Sequence, residues 1–198
     1  SETSITPSAS GSATPETLPL GIEKAEEAKK NGKPVHVVIF QDFNCHHCRD
    51  FEQANYETIK KLVEDGSITV EYRNMIILDR GSPTQYSART ANAAYAVANQ
   101  VSTDKYLEFQ KELFDRQGGG DLNNQQIADI AAKYGANISS DLNDNKWRPL
   151  VNVVNEESLK NGVHGTPAIY ADGEQFPGPK SEDFPKWVQG KIDAKKQQ

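Results

Sequence analysis

The most constraining feature of the chain is a pair of cysteines two residues apart, Cys45-His46-His47-Cys48, set where an apolar run hands over to a helical pattern. Before it, Val35, Val37, Val38, Ile39 and Phe40 are apolar at nearly successive positions and rich in β-branched residues, which suits a central strand covered on both faces. A brief loop, Gln41 to Asn44, leads into the cysteines. After them, Phe51, Ala54, Ile59, Leu62 and Val63 recur near helical spacing, and Asp65-Gly66 stops the helix. Ile68, Val70 and Tyr72 then alternate as a second strand, which the apolar Met75 to Leu78 extend. Strand, helix and strand with no hairpin signal between them make a βαβ unit. The cysteines therefore lie at the junction of its first strand and its helix.

The rest of the chain restricts how this unit is completed. From Thr84 to Asn161 the periodicity is helical throughout. One stripe runs over Ala88, Ala91, Ala94, Tyr95 and Ala98, and a second over Tyr106, Leu107, Phe109, Leu113 and Phe114 up to Gly118-Gly119-Gly120. A third runs over Ile127, Ile130, Ala131 and Tyr134 to a stop at Gly135, and a fourth begins at Trp147, Leu150, Val151 and Val154. These stripes read as core faces without a catalytic role. Strand character returns at Ala168, Ile169 and Tyr170, and Ala171-Asp172-Gly173-Glu174 reads as a hairpin turn into a short strand at Gln175 and Phe176. Ser181 is the expected N-cap of a last helix carrying Phe184, Trp187, Val188 and Ile192, with Pro185 in its first turn. The order β-α-β, helices, β-β-α is an α/β thioredoxin fold with an inserted all-helical domain. Its expected boundaries are 20–83 and 162–198 for the thioredoxin-like domain and 84–161 for the insertion. A short charged helix over Ile22–Lys30, closed by Asn31-Gly32, is expected ahead of the first strand.

Cys-x-x-Cys at the opening of a helix has a specific chemistry. Free backbone amides and the helix dipole favour a thiolate at Cys45, the species that attacks disulfides. Cys48, one turn on, faces inward and resolves a mixed disulfide by forming Cys45–Cys48. His46 and His47 titrate near neutrality and add positive charge beside the sulfur. An inert local bridge would close too small a loop to stabilise much. Adjacent His46 and His47 cannot both join Cys45 and Cys48 around one tetrahedral ion, and only His36 and His164 remain elsewhere, so no metal site is expected. A second constellation, Gly162-Val163-His164-Gly165-Thr166-Pro167, precedes the late strand. A cis Thr166–Pro167 bond there would turn the Thr166 backbone toward the sulfurs and leave its amide for an extended substrate segment. The competing reading is an ordinary trans proline opening a strand.

Composition sets the outer limits. With 198 residues, 36% hydrophobic and 25% charged, the chain matches an ordinary globular protein large enough for a domain with an insertion. The net charge of −6 and the lack of a basic stripe argue against nucleic acid as a partner. There is no Walker or dinucleotide glycine pattern and no apolar run of membrane-spanning length. Residues 1–19, rich in Ser, Thr and Pro, cannot bury enough apolar area to offset ordering entropy and are expected to be a disordered tail. The sequence does not start with Met, which reads as a soluble domain whose targeting or membrane-tethering segment has been removed. An artificial linker is the alternative for that tail.

The segments Val38-Ile39-Phe40-Gln41-Asp42-Phe43-Asn44-Cys45-His46-His47-Cys48, Tyr106-Leu107-Glu108-Phe109-Gln110-Lys111-Glu112-Leu113-Phe114 and Gly162-Val163-His164-Gly165-Thr166-Pro167 together resemble the DsbA family. The resemblance is to its branch from Gram-positive and actinobacterial envelopes, MdbA-type oxidases included, and it runs from about Pro34 to Val188. It implies an extracytoplasmic enzyme that puts disulfides into exported proteins bearing free thiols, and a membrane reoxidase of the DsbB or VKOR type. It also implies an exposed nucleophile at Cys45, a buried resolver at Cys48, tuning of the thiolate by His47, and a cis-proline loop at Thr166-Pro167. The redox-active disulfide Cys45–Cys48 then serves in place of a cofactor. Two departures stand out. His46 replaces a common Pro, and Ile39 stands where many members carry a buried acid. Asp42 is the nearest carboxylate in sequence to replace it, but reads as a solvated loop residue. A reductase or isomerase on the same fold, or a non-catalytic chaperone for extended segments, remains the alternative function.

Overall fold

The computed structural model describes residues 34–197. The expected tail over 1–19 and helix over Ile22–Lys30 lie outside the described residues.

The parallel strands β1 (Val35–Gln41) and β2 (Ile68–Asn74) are joined by helix α1 (His46–Glu64). On the other side of β1, β3 (Ala168–Ala171) runs antiparallel and carries β4 (Glu174–Gln175), for a sheet order β2-β1-β3-β4. Every residue of β1 is buried, as its unbroken apolar run requires of a strand with neighbours on both edges and cover on both faces. The pleat divides its side chains. Val35, Val37 and Ile39 enter the main core with Phe51, Ile59, Val188 and Ile192, whereas Val38 and Phe40 join Met75, Val163 and Ala168.

Met75 to Leu78 do not extend β2. The ladder closes where Met75 N–H donates to Gln41 O (2.7 Å), and the chain turns into a 3-10 segment over Ile77–Gly81. The cause is capture of amides by side chains of other elements, beginning with Ile76 N–H, which donates to Asn155 Oδ1 (3.0 Å). Leu78 N–H donates to Asp42 Oδ2 (3.1 Å), and Asp79 accepts from the amides of Ser87 (2.9 Å) and Ala88 (3.2 Å) at the start of the next helix.

That helix opens the insertion: α2 (Tyr86–Ala98), α3 (Thr103–Asp115), α4 (Asn124–Lys133), α5 (Ser139–Asn143) and α6 (Arg148–Lys160) stand between β2 and β3. The ends of these helices follow from capping chemistry. Ser102 accepts from Lys105 N–H, Asn123 and Gln126 form a reciprocal capping box, and Gly135 takes φ +93° after α4. Buried Ala91, Ala93, Ala94 and Ala96 let α2 sit at the centre of the bundle. Helix α5 has no counterpart in the periodicity, because five residues are too few to display one.

The hairpin after β3 has positive φ at both Asp172 (48°) and Gly173 (83°), the conformation a tight two-residue turn demands. The last helix, α7 (Phe184–Lys196), carries Pro185 in its first turn as expected. Its N-cap is Asp183, not Ser181. Ser181 instead opens a 3-10 turn, and its carbonyl accepts from Asn55 Nδ2 of α1 (3.0 Å).

Candidate active site

Cys45 is the N-cap of α1, in extended conformation (φ −90°, ψ 121°), and its amide donates to Asp42 O (3.0 Å). The residues that follow supply the free amides of the helix start. The second and third amides of the helix belong to His47 and Cys48; the Cys45 side chain forms no capping hydrogen bond with them, but both favour its thiolate. Both cysteines are free thiols in this structure.

The Cys45 thiol is lowered to about 5. The largest influence is the Cys48 thiol, donating to its sulfur; burial opposes; the Cys48 amide, the Thr166 hydroxyl and the His47 amide add to the lowering. Cys48 moves the other way, far above the ordinary thiol range, first through burial, then through its hydrogen bond to Cys45 and the charge that Cys45 holds beside it. One proton is thus shared unequally, with Cys45 the thiolate and Cys48 the thiol.

The Thr166–Pro167 bond is cis, as the sequence leads one to expect, and Cys45 Sγ lies 3.7 Å from Thr166 O, which it can donate to only in its protonated form. A second cis bond, Gly178–Pro179, has no counterpart in the sequence reading. The structure therefore brings Cys45, Cys48, Thr166 and Pro167 to one place. His46 and His47 stand at the rim, exposed, with ring centroids 4.1 Å apart. Sequence reasoning assigned the tuning of Cys45 to these imidazoles, but its leading influences are a thiol, two amides and a hydroxyl. Proximity in sequence does not place the rings at the sulfur; their first-turn amides are nearer by construction.

Two expectations need correction. Cys45 is not openly exposed: it is 8% accessible, against 2% for Cys48, because Thr166 lies against its sulfur. Asp42 is not a solvated loop residue. It is fully buried, with Oδ1 accepting from Asn44 N–H (2.9 Å) and Ser87 Oγ (2.6 Å) and Oδ2 accepting from Leu78 N–H (3.1 Å). Burial raises its pKa above the usual carboxylate value, the hydrogen bonds from Ser87, Asn44 and Leu78 oppose that rise, and the charge on Cys45 adds to it. Apart from the neighbouring Asn44, the partners of Asp42 come from β2's exit and from α2, so no local pattern marks its burial.

A second buried acid went unseen in the sequence. Glu52 is four residues beyond Cys48 on the inner side of α1, 3% exposed, and burial raises it to about 7. Gln110 Nε2 donates to its Oε1 (3.0 Å), and Gln110 Oε1 in turn accepts from Gln41 Nε2 (2.9 Å) and Tyr106 OH (2.9 Å). The spacing i, i+4 from an inward-facing cysteine was the available signal. Among the described residues, no group of three or more His, Cys, Asp or Glu side chains is arranged to hold a metal ion.

The Thioredoxin_4 family model, described as Thioredoxin, matches residues 29–190. The chain belongs to this family. No curated protein matches it by sequence. Among solved structures it is similar to reduced DsbA from Mycobacterium tuberculosis, at 26% identity and TM-score 0.68, covering 82% of this chain and 88% of that one. It is also similar in fold to MdbA, a thiol-disulfide oxidoreductase from Corynebacterium matruchotii (23% identity, TM-score 0.68, 84% and 97% covered). BdbD from Bacillus subtilis shares that fold (20% identity, TM-score 0.69, 85% and 91% covered). Within the thioredoxin family this is a DsbA-type thiol–disulfide oxidoreductase with a helical insertion.

Proposed function

We propose that the chain works as a dithiol oxidase, passing the Cys45–Cys48 disulfide to exported proteins outside the cytoplasm. The observation that supports this direction most is the opposite displacement of the two thiols, Cys45 down and Cys48 up. A stabilised Cys45 thiolate favours the reduced enzyme, and a couple whose reduced form is stabilised is an oxidant.

The exchange balances as follows. A substrate thiolate attacks Cys45 of the enzyme disulfide, the Cys45–Cys48 bond breaks, and Cys48 leaves and takes up a proton. The substrate's second thiolate then attacks its own sulfur in the mixed disulfide, and Cys45 departs as thiolate, a good leaving group because its pKa is low. The substrate has lost two electrons, and the enzyme holds them as its dithiol. A membrane reoxidase, of the DsbB or VKOR type by analogy with the family, collects those electrons. No further cofactor or metal takes part. Thr166-Pro167 receives an extended substrate segment beside the sulfurs, and His46 and His47 favour the thiolate from the rim. Among the described residues no helix is long and apolar enough to cross a membrane.

The test is refolding of a reduced, disulfide-dependent secreted protein with stoichiometric oxidised enzyme. Transfer of the disulfide with one equivalent of enzyme dithiol formed is the expected result. Failure to transfer, combined with ready reduction of a preformed substrate disulfide by the dithiol form, would make the chain a reductase.

A further inference from the structure

Besides the Ser87 hydroxyl on Asp42, the helical insertion reaches the redox loop at the end of α3. Helix α3 ends at Asp115, and the chain continues through Arg116 and Gln117 into Gly118 and Gly120, which take φ +97° and +92°. The Gln117 backbone is pinned by its own amide, which donates to Phe114 O (3.0 Å). Phe114 lies on Phe43 with ring centroids 4.7 Å apart, and Gln53 Nε2 of α1 donates to Asp115 Oδ1 (3.0 Å). The end of α3 is thus registered against both the loop before Cys45 and the helix after it.

From this seat the Gln117 side chain donates to two backbone carbonyls, Phe43 O (2.8 Å) and Cys45 O (3.0 Å). The two acceptors flank Asn44, so both hydrogens of one primary amide close a bridge across the loop. Cys45 O also accepts from Arg49 N–H (3.1 Å), and Cys45 N–H donates to Asp42 O (3.0 Å), so both peptide groups of Cys45 are held. The torsion that Gln117 restrains is the Cys45 ψ of 121°, which turns the sulfur toward the first free amides of α1. The helix itself gives the Cys45 carbonyl one bond, from Arg49 N–H, at the fraying end of the ladder. Gln117 adds a second donor to that carbonyl and ties it to Phe43 O, so without the bridge the sulfur is held less firmly toward those amides. The amide also covers carbonyl oxygens whose partial negative charge opposes a neighbouring thiolate.

We infer that Gln117 is a positioning residue for the Cys45 thiolate, supplied by the insertion and acting through the carbonyls of Phe43 and Cys45. This rests on Cys45 being the reactive thiolate. The test uses Gln117→Met, of similar length but without donors, Gln117→Glu, of the same shape but with only acceptors, and Gln117→Lys, which restores a donor. Ultraviolet titration of the thiolate in the reduced protein reads the Cys45 pKa in each. A rise of about one unit is expected for Met, the size of one net hydrogen bond, a larger rise for Glu, and no rise for Lys. If Met lowers the melting temperature but leaves the pKa in place, Gln117 is only a structural tie and the inference is overturned. Where Met fails to fold, equal pKa values in the Glu and Lys variants overturn it instead. An ordinary thiol pKa in the unsubstituted protein would remove the underlying reading of Cys45, a result separable from either.

Discussion

At the scale of single residues, the site is governed by what donates to the Cys45 sulfur. Its leading influence is the Cys48 thiol, and the helix amides and Thr166 follow. Replacing Cys48 with Ala removes that donor, so the Cys45 pKa should rise, and by more than it rises when His46 and His47 are both replaced with Ser. A thiolate titration of the two variants checks the order; a larger rise in the double histidine variant would return the control of Cys45 to the imidazoles. Reactivity divides in the same way. Brief alkylation of the reduced protein should label Cys45 almost alone, with a rate that reaches half its plateau near pH 5, where the Cys45 thiolate forms. Equal labelling of Cys45 and Cys48 would contradict the assignment. Because Cys45 is only 8% accessible, the rate should also depend on the size of the reagent.

At the scale of elements, α1 carries the site on its first turn and a buried acid one turn deeper. Glu52 is raised to about 7 from an ordinary 4.5, so the folded protein holds a proton there that the unfolded chain has released. Stability from this group is therefore lost as pH rises between about 4.5 and 7, a fall of roughly 3 kcal/mol. Glu52→Gln should flatten that slope and be the more stable protein above pH 7, provided the amide keeps the bond from Gln110. Denaturant titrations at pH 5 and pH 8 check it, and equal slopes in both proteins would contradict it. The same helix shows what a sequence reveals. Its apolar spacing, its Asp65-Gly66 stop and the β1 run were legible, because each is a local pattern. So were Cys45, Cys48 and the Thr166-Pro167 turn, since spacing and position alone mark them. The fate of Met75 to Leu78 was not, because Asn155 and Asp42 capture the amides of Ile76 and Leu78, which composition assigns to a strand. Nor was the burial of Asp42, which depends on Ser87 across 45 positions, or the reach of Gln117 to Cys45 across 72. Contacts of that span leave no periodicity to read.

At the scale of the whole molecule, the depressed thiol of Cys45 becomes a difference in stability between redox states. A thiol near 5 when folded and about 8.5 when unfolded is ionised at pH 7 only in the folded, reduced protein, a gain of about 2 units or roughly 3 kcal/mol. Cys48 is protonated in both states at that pH, so its raised value has no cost there. The sign is that of a depressed group: the gain is complete above the unfolded pKa and disappears as pH falls through the folded one. Reduced protein should melt above oxidised protein at pH 7, with the gap narrowing toward pH 5; a gap independent of pH would place its origin elsewhere. The same free energy moves the two-electron couple by roughly 60 mV in the oxidising direction. The reduction potential of Cys45–Cys48, measured by equilibration with glutathione at pH 7, tests the account most directly. A value at least about 60 mV more oxidising than thioredoxin's, that is about −210 mV or higher, is expected, whereas a value near −270 mV, that of thioredoxin, would contradict the control of the couple by a stabilised Cys45 thiolate.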